Sequence, residues 1–239
     1  GNLLSSLNIS CESYDVSIGS IPDASITHAY LSPPTPGATN NSSFPYTQYA
    51  EAPVLSHSSG FFTQPFDVTM SVSNGGAGEI HYTLDGSDPE ISSPEFDGTP
   101  VPIYQSTVVK AKTFVEGMLP SNLTAATYFF NVSHLTPILS VITDNNNLYG
   151  DNGIFDHSEQ DWLRPAYAEY FDSTSGNPLI FSQNAGMMID GGYGGSRWQP
   201  QHSFRLELDN SVLGEGPVNF PVIPQRPQRT KYSQFYLRN

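Results

Sequence analysis

Twenty prolines and twenty glycines, spread through 239 residues, constrain this chain more than any other feature. They break up every stretch in which a 3.6-residue apolar period could run, so long helices are excluded. Between the breaks lie short runs rich in Thr, Val, Tyr and Phe, the side chains that suit a pleated, half-buried surface. The expected fold is therefore mainly β. The chain is long enough to bury at least one sizeable core. Its single cysteine, Cys11, cannot close an intrachain disulfide, and no Cys/His cluster offers four ligands to a structural zinc, so packing has to hold the fold together.

The charge pattern narrows the partners. The formal charge is −14, and the first 109 residues hold 11 acids and no Lys or Arg. Such a chain repels phosphate backbones, which argues against nucleic acid. No apolar run approaches the roughly 20 residues that cross a bilayer, so no membrane span is expected. The N-terminus lacks the basic-then-apolar pattern of a signal peptide. Abundant Ser, Thr, Asn, Gly and Tyr with scarce lysine and one thiol suit an extracellular setting, so the expected location is secreted or cell-surface.

Residues 32–43, SPPTPGATNNSS, have no apolar period and three prolines, which predicts a solvated linker and a boundary. Residues 1–31 are too few for an independent core and read as the tail of a larger domain. The phrase DVSIGSIPDASITHAYLSPPTPGATN resembles the closing strand and exit linker of bacterial lamin-tail-type β domains, where an "IGRxPDG…W" segment leads into "TPTPGAAN".

The middle of the chain alternates cleanly. In FDVTMSVSN, Phe66, Val68, Met70 and Val72 share one face, with Asp67, Thr69, Ser71 and Ser73 on the other. In EIHYTLDGSDPEISSPEF, Ile80, Tyr82 and Leu84 share a face before a turn through residues 85–89, where Gly86 gives a permissive backbone and Pro89 stops the strand. Strands STVVKAKTFV and TAATYFFNV follow, joined by EGMLPSN. "IHYTLDGSDPEISSPEF" with "STVVKAKTFVEGMLPSN" resembles the small immunoglobulin-like domain at the C-terminus of chitobiases and β-hexosaminidases. That resemblance implies an accessory sandwich over about residues 44–133, without catalytic residues of its own.

The last segment opens with LTPILSVITDNNNLYGDNGIF: a strand around Leu139 and Val141, then an Asn/Asp/Gly loop. WLRPAYAEYFDSTSGNPLIFSQNAGMMIDGGYGGSRWQPQHSFRLEL reads as a hairpin, a Gly-rich loop and a strand. This series, closing on YSQFYLRN, resembles the opening part of the spore-coat CotH kinase family ("W.RPv.vEfFd.dG", "fsqnaGirihGg.SR..pqKsfrl", "F..l.LRN"). Residues 134–239 are then the first part of a β-rich, α+β kinase-like lobe that stops short of the rest.

What the last resemblance implies is a nucleotide site in which a glycine loop covers ATP and a lysine on the next strand contacts phosphate. Gly191, Gly192, Gly194, Gly195, Ser196 and Arg197 occupy the loop. Glycine lets backbone amides converge on phosphate oxygens, and Arg197 offers a bidentate contact. This sequence departs from the family's "PQKSFRL" by placing His202 at the lysine, and an ordinary histidine is shorter and mostly neutral near pH 7. The carboxylates that would hold magnesium belong beyond Asn239. Phosphoryl transfer needs positioning and charge neutralisation together, so no catalytic residue and no cofactor are expected, with ATP and Mg as the alternative.

The other polar clusters favour plain roles. Asp144, Asn146 and Asp151 lie in an oxygen-rich run that could hold calcium, but the spacing is not that of an EF-hand because Leu148 takes the fifth position; capped turns explain it better. His28, His57, His81, His134 and His157 are scattered without a paired Ser, Cys or metal spacing. Phe155, Trp162, Tyr193 and Trp198 could make a sugar-stacking platform, although aromatics in a β protein this poor in lysine more often fill cores. Asn-x-Ser/Thr sites start at Asn8, Asn40, Asn41, Asn122 and Asn131 and are weak glycosylation candidates. The expected function is thus a non-catalytic piece of a secreted, multidomain bacterial surface protein, a structural or adhesion module or a subunit of an extracellular assembly. Its expected partners are other chains or domains of that assembly, with carbohydrate as a further candidate; the alternative is the nucleotide-binding lobe of a CotH-type atypical kinase.

Overall fold

The computed structural model describes residues 16–133, 135–172, 178–192 and 195–238. Among these, β-strands dominate and the only α-helix is a single turn, as the proline and glycine spacing predicts. Three groups of strands follow one another along the chain.

The first is a three-stranded antiparallel sheet of β1 (Ser17–Ser20), β2 (His28–Leu31) and β3 (Pro45–Tyr46). The stretch expected to be a solvated linker instead folds back on this hairpin. Prolines cannot donate, but the Thr and Asn side chains beside them can. The Thr39 hydroxyl donates to Asp23 at 2.6 Å, the Asn40 amide donates to the same carboxylate at 3.0 Å, and the Asp23 amide donates to Asn41 Oδ1 at 2.7 Å. The first two bonds hold the Asp23 carboxyl below its usual range, the Thr39 hydroxyl contributing most. Because β3 pairs with β2 at Tyr30 and Leu31, the first sheet runs past residue 43.

The second group is a sandwich. One sheet has the order β5 (Gly60–Phe62), β11 (Thr124–Phe130), β10 (Thr107–Phe114), β8 (Glu79–Thr83). Facing it are the pairs β4 (Pro53–Leu55) with β7 (Met70–Val72), and β6 (Phe66–Val68) with β9 (Val101–Ile103). The core between them holds Val68, Met70, Ile80, Ile103, Val109 and Tyr128, among others. The alternation in FDVTMSVSN is real, since Val68 and Met70 are buried and Phe66 and Val72 pack against them. The run is nevertheless two strands, because it leaves β9 after Val68 and from Thr69, which bonds Ser56, pairs along β4 instead. Leu84 departs from the expected face: it lies beyond the end of β8 and is exposed.

The third group is a five-stranded antiparallel sheet in the order β12 (Ile138–Ile142), β13 (Arg164–Phe171), β14 (Leu179–Asp190), β15 (Ser203–Glu207), β18 (Gln234–Leu237). The turn α1 (Asn145–Leu148) follows β12, and the short pair β16 (Val218–Asn219) and β17 (Lys231–Tyr232) precedes β18. Strand β13 is covered on both faces. Ala166 and Ala168 point into this group's own apolar clusters, with Met187, Ile189 and Leu206. Glu169 and Phe171, on the other parity, point toward the sandwich. There Phe171 meets Phe61 of β5 and Phe129 of β11 edge-on at 5.5 and 5.4 Å, and those two rings stack on each other at 5.0 Å. Sandwich and third sheet are packed against each other.

Candidate functional site

The glycine loop joins β14 to β15, where the sequence places it. Gly191 has φ +126°, and a Cβ there would come within 2.7 Å of Ser196 Oγ, so only glycine fits. The Ser196 hydroxyl donates to Asp190 O at 2.5 Å, the Gly195 amide to Gly192 O at 2.8 Å, and the Trp198 and Gln199 amides close the 3-10 turn Ser196–Trp198. Tyr193 and Gly194 lie outside the described residues. Among the described residues, the Gly195, Trp198 and Gln199 amides are thus spent inside the loop.

The two Nη groups of Arg197 are spent as well, while its Nε is buried without a hydrogen-bond partner. Its Nη1 donates to Ser158, Glu159 and Gln160 O at 3.4, 3.3 and 3.2 Å, and its Nη2 donates to Ile189 O at 3.1 Å and to the Asp161 carboxylate. A guanidinium presents its donors in a rigid fork, and here that fork ties residues 158–161 to the end of β14. The side chain is 12% exposed, whereas Asp161 is 82% exposed, so the ion pair itself adds little and the backbone carbonyls, those of Ser158 and Ile189 part-buried and those of Glu159 and Gln160 exposed, carry the contact. Arg197→Ala is expected to lower unfolding free energy by about 1–2 kcal/mol, chiefly by leaving the part-buried Ser158 and Ile189 carbonyls unpaired. Hydrogen exchange should rise at residues 156–161; unchanged exchange there would refute the clamp.

His202 also faces inward. Its Nδ1 lies 3.0 Å from Ser196 O, which only accepts, so Nδ1 carries the proton and donates. The ring packs on Phe155 at 5.3 Å. Beside the loop is a cavity of about 500 Å³ lined by Asp161, Asp190, Glu207, Arg197 and Arg205, among others. Arg205 of β15, which sequence reasoning passed over, is the second cation there. It lies 3.1 Å from Glu207 and 3.9 Å from Asp190, so the cavity holds three carboxylates against two engaged guanidinium groups. The only signal for Arg205 was its place on the strand after the loop.

The oxygen-rich run is a capped turn. Asp144 accepts from the Asn146 amide with Oδ1, and from the Asp88 amide with Oδ2, at 2.8 Å each. Each oxygen thus already accepts one backbone amide, and Asn146 and Asp151 are exposed. Among the described residues no group of three His, Cys, Asp or Glu is placed to hold a metal.

The remaining candidates are placed as follows. Asn40 donates to Ser20 O and accepts from the Thr35 hydroxyl, so its side chain is built into the first sheet; Asn41 accepts from Asp23. Asn122 and Asn131 are exposed, while Asn8 lies outside the described residues. Phe155 and Trp162 pack into the third sheet's core, Trp162 also contacting His157 and the Arg164 guanidinium, and Trp198 is exposed. His57 packs on Phe66, and His81 donates through Nδ1 to Ser93 O. His28 is exposed, and His134 lies outside the described residues.

Two charged groups that the sequence did not flag are the best-positioned in the molecule. Lys110 is buried, and its Nζ donates to Gly86 O at 3.0 Å and to the Asp88 carboxylate, which ties down the LDGSDP turn. Glu169 lies fully buried between the sandwich and the third sheet. Its Oε1 accepts from the Ser59 hydroxyl, while Ser59 Oγ accepts from the Thr127 amide at 3.1 Å, and its Oε2 has no hydrogen-bond partner. Burial pushes its carboxyl above the usual range, opposed by the Ser59 hydroxyl and by nearby Thr127. Burial also raises the Tyr128 phenol, and the Glu169 charge adds to it.

The fold thus defines a β-sandwich module packed on a five-stranded antiparallel sheet. Residues 57–125, which carry most of that sandwich, match the model of the chitobiase/beta-hexosaminidase C-terminal domain family. Neither the curated proteins nor the solved structures contain a match to the chain. No helix among the described residues is long and apolar enough to cross a membrane.

Proposed function

We propose that this chain is a non-catalytic part of a secreted or cell-surface multidomain bacterial protein, acting as a structural or adhesion module or as a subunit of an extracellular assembly. Its partners are other chains or domains of that assembly, with carbohydrate as a further contact, in keeping with the match at residues 57–125. The division at 1–43, 44–133 and 134–239 belongs to this proposal, with strand β3 (Pro45–Tyr46) pairing back across its first boundary, as do the likenesses of the first part to a lamin-tail-type domain and of the last to the opening of a CotH-type lobe. The single observation that carries it is the state of the glycine loop: Arg197 gives its Nη donors to four backbone carbonyls and Asp161, and His202 takes up Ser196 O, so neither is free to neutralise a triphosphate.

One observation favours the second reading, a nucleotide-binding lobe using ATP and Mg and completed by sequence beyond Asn239. The glycine loop joins two adjacent antiparallel strands, β14 and β15, beside a cavity. Adding Mg-ATP decides between the two, because a ligand that binds only the folded state raises its melting temperature. No shift is expected. A dissociation constant in the micromolar range would replace the scaffold with the nucleotide lobe.

A further inference from the structure

A second concavity, of about 530 Å³, opens where the β3 segment crosses the end of the sandwich. Phe44 and Ile91, each more than half exposed, share it with the partly buried Tyr46, Phe114 and Met118. Single exposed apolar side chains need no explanation, but a group of them in one groove marks a binding surface. The Phe44 and Tyr46 rings meet at 4.8 Å and 55°, forming an aromatic corner.

The walls are fixed. The Leu119 amide donates to Gln48 O and the Ala50 amide to Leu119 O, each at 2.9 Å, so the segment after β3 is zipped onto the turn between β10 and β11. Gly78, with φ +139°, leaves no room for a Cβ, which would come within 2.5 Å of Thr113 Cγ2. Two exposed carboxylates, Glu79 and Glu116, form the rim; no Lys, Arg or His is among the lining residues, and the Glu79 carboxylate lies 3.7 Å from Nε2 of the buried His81. In a chain of formal charge −14, such a rim rejects anions and favours a ligand that brings positive charge or hydrogen-bond donors.

We propose that this groove binds a protonated amino sugar within an oligosaccharide. The apolar C–H face of the pyranose lies on the Phe44–Tyr46 corner, and its ammonium group and hydroxyls meet Glu79 and Glu116. A lysine side chain would satisfy the carboxylates but bring only a narrow methylene stem to the aromatic corner. This inference rests on the carbohydrate contact in the reading above and gives it a place and a ligand class.

The test is calorimetric titration of the chain with a β-1,4-linked glucosamine hexamer at mildly acidic pH, beside its fully N-acetylated counterpart and an oligolysine peptide. The glucosamine hexamer is expected to bind, more weakly as salt rises. Phe44→Ala, and Glu79→Gln combined with Glu116→Gln, should each weaken it by about tenfold or more. All three side chains are exposed, so unchanged melting temperatures would show that folding is retained. A silent titration would overturn the proposal, as would a Phe44→Ala variant that binds unchanged. Tighter binding of oligolysine would assign the groove to a peptide instead. Acetylated hexamer binding that ignores all three substitutions would keep carbohydrate as a partner and place it elsewhere. The Mg-ATP experiment is independent: ATP binding would remove the scaffold reading whatever the groove does.

Discussion

Phe171→Ala is expected to lower the unfolding free energy by about 3–5 kcal/mol, the range for emptying a large aromatic site that cannot collapse. Phe171 is fully buried and is the third sheet's contribution to a three-ring contact whose other members, Phe61 and Phe129, belong to the sandwich. The loss falls on the contact between two units, so their unfolding should also separate into two steps. Chemical denaturation followed by near-UV circular dichroism measures both effects. A loss under about 1 kcal/mol, the size of a surface change, would mean that the sheets are not packed as described.

The second large effect concerns Glu169. Because burial raises its pKa in the folded protein above the ordinary value of 4.5, the folded chain holds that proton more tightly than the unfolded chain. Its contribution is most favourable below the unfolded value and is lost as pH rises toward the raised folded value. Glu169→Gln keeps the shape, still accepts from Ser59 and carries no charge. It is expected to stabilise the protein at neutral pH by about 1–3 kcal/mol, with the advantage vanishing toward acid. Asp23, Asp85, Asp97 and Glu159, whose carboxyls are lowered by hydrogen bonds, act with the opposite sign, so the difference between variant and parent curves is the quantity to read. A variant less stable than the parent at neutral pH would show that the carboxylate is better accommodated than its surroundings suggest.

These two residues also mark where the sequence stops being legible. The sandwich was readable because its signals are local: alternating Val68 and Met70, the glycine turn at Gly86, the paired strands around Val109 and Ala126. Glu169 sits in AEYF, where period two puts it opposite the two alanines and suggests water. Its partner Ser59 is 110 residues away, so burial of that face is a tertiary fact that no local pattern carries. Arg197 misleads for the same reason. Beside glycines it reads as a phosphate contact, and the carbonyls that occupy it come from residues 37–39 positions earlier. The stretch 32–43 shows the converse error. Its prolines suggest a solvated linker, yet Thr39, Asn40 and Asn41 fold it onto Asp23. Asp144, by contrast, was legible, since an Asx residue before a short polar run is a cap wherever it occurs.

If the chain works as a scaffold, its sandwich and third sheet must unfold as one body. Scanning calorimetry of the unmodified protein tests this most directly. A single transition is predicted, with calorimetric and van't Hoff enthalpies equal. Two resolved transitions, one for the strands of residues 53–130 and one for those of residues 138–237, would contradict it.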